Sequence, residues 1–293
     1  MKRRPQFFLS LLLLLTLTVL FPTCSLAEAE TPPADPFAEF KELYMASEFV
    51  GAAQSVESIL TPNLMYSIAN NYIGTEEYEK ALNWLELILL AGEDAEADTL
   101  TETHTRLGDL YSYTGCEMVD LPKAVAYYEM AAAQNHAAAI ARLGHLYFCS
   151  EHGMVNYAAA QEWYAKGAAL GDLESCREAG HLYSYDTYGM VDLAKAEQYY
   201  RLAAEQNDAI AQCRLGDLYS YEAYEMLDVQ KAIEYYEAAA AQDNAESLYR
   251  LGGLYTYEPF MIVDEAKAIG YYERAAALGH EEAQKHLDHL KNK

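Results

Sequence analysis

Glycine stands at positions 108, 144, 180, 216 and 252, each 36 residues from the last. A spacing held across five glycines calls for one unit folded five times and stacked on itself, because neighbouring copies must bury what each leaves exposed. The flanking residues keep the same step. Leu107, Leu143, Ala179, Leu215 and Leu251 precede the glycines. Leu-Tyr follows at Leu110-Tyr111, Leu146-Tyr147, Leu182-Tyr183, Leu218-Tyr219 and Leu254-Tyr255. Further on come Ala124, Ala160, Ala196, Ala232 and Ala268, then the aromatic pairs Tyr127-Tyr128, Trp163-Tyr164, Tyr199-Tyr200, Tyr235-Tyr236 and Tyr271-Tyr272.

Each unit reads as two helices. In helix A, residues such as Leu143, Gly144, Leu146 and Tyr147 fall on one apolar stripe at helical spacing, and the glycine admits a close partner. A polar, tyrosine-rich loop follows. Asp120, Asn156, Asp192, Asp228 and Asp264 then precede helix B. Asp and Asn suit that place, since their side-chain oxygen accepts an amide left unpaired at a helix start. Helix B is expected to stop near Asn135, Gly171, Asn207, Asn244 and Gly279, residues that tolerate a left-handed helix end.

The pattern Leu-Gly-x-x-Tyr, a long loop, Val-x-x-x-x-Ala and Trp/Tyr-Tyr-x-x-Ala-Ala resembles the Sel-1-like branch of the tetratricopeptide (TPR) repeat family, over about residues 101–280. The resemblance implies an all-α fold, a right-handed α-solenoid of antiparallel helix pairs. It also implies a scaffold that binds proteins or peptides along the concave wall of A helices. The family's loop usually carries two glycines. Here Gly115, Gly153 and Gly189 survive singly and the last two repeats have none, with bulky groups such as Tyr224 and Phe260 present, so those loops are expected to change shape.

The flanks complete a five-part plan: signal peptide 1–27, linker 28–36, a helical cap with one TPR-like unit over 37–93, five repeats over 94–280, and a capping helix over 281–293. Ile68-Ala69-Asn70-Asn71-Tyr72 and Tyr78-Glu79-Lys80-Ala81-Leu82 carry the TPR-like register. In the last helix Leu287 and Leu290 hold core positions, while Asp288 and Lys291 replace the glycine and tyrosine, as befits a polar terminal cap.

The start resembles an export signal. Lys2, Arg3 and Arg4 precede an apolar run from Phe7 to Phe21, and Ser25-Leu26-Ala27 offers small residues for cleavage before Glu28. Ala27-Glu28-Ala29 is a second cleavage candidate, and an uncleaved anchor is the alternative. Cys24 follows Phe21-Pro22-Thr23, a poor lipidation sequence, so lipoprotein anchoring is not expected. The rest of the chain has no apolar run long enough to span a bilayer, so stable membrane insertion is not expected after cleavage. A periplasmic or secreted location follows.

The net charge of −25 disfavours phosphate backbones as partners, and no Lys/Arg cluster offers a local exception. Nucleic acid is therefore excluded and basic protein partners are favoured. With 52% hydrophobic residues the chain has ample surface to bury despite that charge.

The resemblance places ligand contacts on helix A, away from the Leu-Gly-Tyr stripe. One residue after each glycine stand Asp109, His145, His181, Asp217 and Gly253. Four after stand Ser112, Phe148, Ser184, Ser220 and Thr256. Five after stand Tyr113, Cys149, Tyr185, Tyr221 and Tyr257, and three before stand Thr105, Ala141, Arg177, Cys213 and Tyr249. From these rows the candidate partner-binding residues are Asp109, Tyr113, His145, Arg177, His181, Tyr185, Asp217, Tyr221 and Tyr257. Tyrosine suits such a surface, because it gives large contact area with a polar tip at little entropic cost. Two alternatives stand beside this assignment. The outer tyrosines can pack beneath the loops, and the Asp/His row can form a hydrogen-bond ladder between neighbouring repeats, the favoured reading of that row.

An oxidising compartment permits disulfides. Cys116 with Cys149, and Cys176 with Cys213, are the simplest pairings, and small buried apolar residues are the alternative role. His145 and His181 are flanked by Asp109 and Asp217 but sit one repeat apart, roughly 10 Å in helix packing, so no shared metal ion is expected. No cofactor motif appears. Some secreted relatives of the resembling family are linked to β-lactam binding, which makes a cell-wall-related or β-lactam-binding hydrolase the alternative function. The Ser-x-x-Lys, Ser-Asp-Asn and Lys-Thr-Gly signatures of that chemistry are all missing from the sequence, and enzyme activity is not expected.

Overall fold

The computed structural model describes residues 61–91, 95–115, 118–149, 153–221 and 226–292. The signal segment, the linker, the helix pair expected over 37–60, and Cys24, Cys116 and Tyr224 all lie outside the described residues. The chain divides into two compact units, one ending at His136 and one beginning at Ala137.

The described residues form thirteen α-helices and two short 3-10 turns, with no strand among them. The first unit holds α1 (Pro62–Gly74), α2 (Tyr78–Ala91), α3 (Ala97–Ser112) and α4 (Leu121–Ala132). In the second unit, α5 (Ala137–Phe148), α7 (Leu173–Ser184), α9 (Ala209–Ser220) and α11 (Ala245–Thr256) are A helices. They alternate with the B helices α6 (Tyr157–Ala169), α8 (Leu193–Ala204), α10 (Val229–Ala240) and α12 (Glu265–Ala277), and α13 (Glu281–Lys291) closes the series. Within each unit every helix packs on the next, and in the second unit α5, α7, α9 and α11 also touch one another in turn. This is an α-solenoid of consecutive helix pairs.

The B helices begin where the aspartates and Asn156 stand. The side chains of Asp120, Asn156, Asp192, Asp228 and Asp264 each accept the amide three residues on, at 3.0–3.1 Å. Such a cap is worth about 1 kcal/mol. Their own amides reach back to the helix-A tyrosine: Asp120, Asn156, Asp192, Asp228 and Asp264 donate to the carbonyls of Tyr111, Tyr147, Tyr183, Tyr219 and Tyr255 at 2.8–2.9 Å. One residue thus starts helix B and pins the loop to the end of helix A.

The B helices end on left-handed residues: Asn135 (φ 58°), Gly171 (81°), Asn207 (63°), Asp243 (56°) and Gly279 (88°). Four of the five match the expected stops. The fourth repeat differs: Asp243 makes the turn, and Asn244 caps α11 by accepting the Ser247 amide at 2.9 Å. Both residue types allow positive φ, so the sequence alone does not separate the two adjacent candidates.

The fifth-repeat loop keeps its shape without glycine, contrary to expectation. The third repeat runs through a 3-10 turn at Asp186–Tyr188 into Gly189 at φ 67°, and the fifth through Glu258–Phe260 into Met261 at φ 53°. The turn bonds match, Gly189 to Asp186 and Met261 to Glu258, both at 2.9 Å. The two backbone anchors, at Tyr255 and Asp264, hold the loop in register and force a methionine into the left-handed region. Met261 is 91% exposed, so its side chain recovers little by packing. Met261→Gly should therefore raise stability by about 1 kcal/mol, the cost of a side chain in that conformation. Denaturant unfolding checks this, and a loss of stability would contradict it.

Candidate partner-binding face

Each glycine of the ladder receives a tyrosine ring. A Cβ built on Gly108, Gly144, Gly180, Gly216 or Gly252 would lie 2.5–2.7 Å from ring carbons of Tyr128, Tyr164, Tyr200, Tyr236 or Tyr272 respectively. Real Cβ atoms do not approach that closely, so a bare backbone is required. These five tyrosines, the second of each aromatic pair, are buried.

Burial obliges their hydroxyls to find partners. In the first repeat the Tyr128 hydroxyl donates to Asp109 Oδ1 at 2.8 Å and lies 3.1 Å from Ser112 Oγ. The fourth repeat copies this with Asp217 at 2.8 Å and Ser220 at 3.0 Å. In the third repeat Ser184 Oγ lies 3.3 Å from the Tyr200 hydroxyl, and in the fifth Thr256 bonds Tyr272. Burial pushes the Tyr200, Tyr236 and Tyr272 hydroxyls above the usual tyrosine range, and for Tyr236 the Asp217 charge adds to the effect.

The second repeat breaks the pattern. His145 and Phe148 occupy the places of Asp and Ser, and the Tyr164 hydroxyl is buried with no hydrogen-bond partner among the described residues.

The expected site residues therefore sort into different roles. Asp109 and Asp217 latch the tyrosine of their own repeat, and Asp217 also pairs with Arg250 of the next repeat at 3.5 Å. Arg106 and Arg214 steady these aspartates from the preceding turn, at 3.3 and 3.0 Å. The row three residues before each glycine meets the cap of the next A helix. Thr105 lies 3.1 Å from His136 Nδ1, Arg177 pairs with Asp208 at 3.2 Å, and Tyr249 stacks on His280 at 4.5 Å. Arg177 is thus engaged within the fold.

The cysteine pairings are not formed. Cys176 and Cys213 are free thiols buried in separate apolar clusters, and Cys149 is also free. Burial pushes the Cys213 thiol up to about 12 and raises that of Cys176, which makes them inert packing groups.

The outer tyrosines are exposed, and among the other candidates read from the sequence His145 is exposed too. Tyr113, Tyr185, Tyr221 and Tyr257 are 50%, 37%, 58% and 42% exposed, against 5–8% for the stripe tyrosines Tyr111, Tyr183, Tyr219 and Tyr255. Those stripe tyrosines stack on the first tyrosine of each aromatic pair, at 5.8–6.0 Å between ring centres. Lys123, Lys195, Lys231 and Lys267 cover their other faces at 4.8–4.9 Å. These lysines sit three residues after the cap, a regularity present in the sequence as Asp-x-x-Lys.

Helix pairs stacked through a recurrent glycine–tyrosine contact define a helical-repeat protein of the TPR-like class. The chain belongs to the Sel1 repeat family: the Sel1 repeat model matches residues 102–136, 137–172, 173–208, 209–244 and 245–280. Comparison with curated protein sequences gives no match. Among solved structures, the chain is similar to a protective antigen of uropathogenic Escherichia coli with an SLR fold, at 26% identity and a TM-score of 0.66. That match covers 86% of this chain and 53% of the other, so the chain spans about half that structure's length. It is also similar to a Sel1 repeat protein from Oxalobacter formigenes, at 25% identity and a TM-score of 0.55, covering 82% of this chain and 98% of that one. The C-terminal part of a TPR repeat-containing protein from Cytophaga hutchinsonii shares the fold, at 16% identity and a TM-score of 0.52, covering 85% and 98%.

Hydroxyl removal tests the latch. Tyr236→Phe should cost about 1–3 kcal/mol, because it strips a charged acceptor of its donor. Tyr164→Phe should cost nothing or raise stability by about 1 kcal/mol, because it removes a buried hydroxyl lacking a partner. Urea unfolding of the two variants decides, and equal losses would contradict the assignment.

Proposed function

We propose that this chain is an exported interaction scaffold that holds a segment of a protein partner against its helix-A face. The observation that carries the reading is the row of outer tyrosines. The stripe tyrosines of the same repeats are buried and stacked, whereas this row is exposed in the first, third, fourth and fifth repeats, the second carrying Cys149 in its place. Large aromatic groups left half in water are the usual anchors of protein interfaces. Membership of the Sel1 repeat family supports a protein partner, and the net charge of −25 favours a basic one. The layout of residues 1–27 supports export.

Two measurements test this. Tyr185→Ala combined with Tyr221→Ala should leave helicity and melting temperature nearly unchanged while weakening capture of partners from the producing cells about tenfold or more, as loss of interface anchors does. Destabilisation as large as that of Tyr183→Ala would instead make the outer row part of the core. N-terminal sequencing of the protein from the extracytoplasmic fraction should begin at Glu28. A cytoplasmic chain retaining Met1–Ala27 would overturn the export reading.

A further inference from the structure

The third repeat reverses a charge pair that the first and fourth share. Two residues before and one after the glycine, those repeats carry Arg106 with Asp109 and Arg214 with Asp217. The third carries Glu178 with His181, Oε2 and Nδ1 lying 4.0 Å apart. His181 Nδ1 is buried with no hydrogen-bond partner among the described residues, like the Tyr164 hydroxyl of the preceding repeat.

Aromatic rings gather at this point. His181 lies 5.0 Å from Tyr185, 5.4 Å from Tyr188 and 5.9 Å from Phe148, between ring centres. Tyr164 belongs to the same apolar cluster as Phe148 and Tyr188. The site is not sealed: the side chains of Glu178 and His181 are 33% and 32% exposed, and Tyr185 is 37% exposed. Burial, and then the nearby Arg214, hold the His181 ring below its usual range and so favour its neutral form, which offers a nitrogen lone pair. The neighbouring cations are already engaged, Arg177 with Asp208 at 3.2 Å and Arg214 with Asp217 at 3.0 Å.

Two acceptors beside a half-open tyrosine face suit a cation that donates several hydrogen bonds in one plane. We propose that Glu178 and His181, walled by Tyr185 and Phe148, form the seat for an arginine side chain of the partner segment. The guanidinium donates to Glu178 and lies over the Tyr185 ring, and the half-exposed His181 imidazole turns to bring its buried Nδ1 to a remaining N–H. Arginine fits better than lysine because its planar fork meets two acceptors at once and stacks on an aromatic face. The inference rests on the scaffold reading and adds the chemistry of one contact to it.

The probe is acetyl-Gly-Arg-Gly-amide, titrated into the full purified chain at neutral pH while the ring proton signals of His181 are followed by NMR. Glu178→Gln keeps the side chain's size, and the His145 ring serves as a fold control. The arginine peptide should shift the His181 signals in a saturable way, and the citrulline peptide at least fivefold less. Glu178→Gln should weaken the arginine peptide at least fivefold, and Glu178→Arg, which restores the residue type of the first and fourth repeats, should abolish the response. Equal responses to arginine and citrulline, no response, or wild-type affinity in Glu178→Gln would overturn the site. Partner capture that is lost in Tyr221→Ala and intact in Glu178→Gln would discard the arginine seat and leave the scaffold reading standing.

Discussion

A tyrosine ring from helix B presses on the bare backbone of helix A in each of the five Sel1 repeats, and the rest of each repeat follows from that contact. Ring carbons come within 2.5–2.7 Å of where a glycine Cβ would be, so the approach is open only to glycine. Bringing the helices this close also buries the tyrosine hydroxyl and creates a demand for partners. Asp109 with Ser112, and Asp217 with Ser220, answer it from the same helix A. Packing thus dictates polar chemistry: the glycine sets the distance, and the residues one and four places later absorb its cost.

The loops obey a second constraint. Each N-cap residue both starts helix B and ties its own amide to the helix-A tyrosine carbonyl, which fixes the two ends of the loop whatever lies between. That explains why the fifth repeat tolerates Met261 where the third uses Gly189. It also leaves the outer tyrosines, just past the helix-A ends, at the mouth of each loop and open to solvent. A regular interior therefore presents a nearly regular exterior row, broken by Cys149 in the second repeat.

Much of this was legible in the sequence because the interactions repeat. The period, the helix pairs, the five N-caps and four of the five helix stops each rest on local chemistry seen several times over. What escaped were contacts between residues distant in sequence. The partnership of Asp109 with Tyr128, 19 residues on, is invisible to helical periodicity, so the sequence favoured a ladder between neighbouring repeats for the aspartate row. Arg177 looked like a groove residue for the same reason, yet it is spent on Asp208, the cap of the next A helix. Cys176 and Cys213 sit at nearly equivalent positions of consecutive repeats, which suggested pairing, but each is enclosed in a different apolar cluster. The Glu178–His181 reversal was present in the sequence as a break in the Arg/Asp column, a signal carried by the exception and not by the consensus.

The glycine–tyrosine contact is best tested by a double-mutant cycle on Gly216 and Tyr236. In an unobstructed helix, Gly→Ala raises stability by about 1 kcal/mol. With Tyr236 in place, Gly216→Ala should instead lower stability by about 1–3 kcal/mol, because the methyl group meets the buried ring. In a Tyr236→Ala background, where the ring is gone, the same substitution should become neutral or stabilising. If Gly216→Ala stabilises the unaltered chain, or costs the same in both backgrounds, the contact does not set the geometry of the repeat.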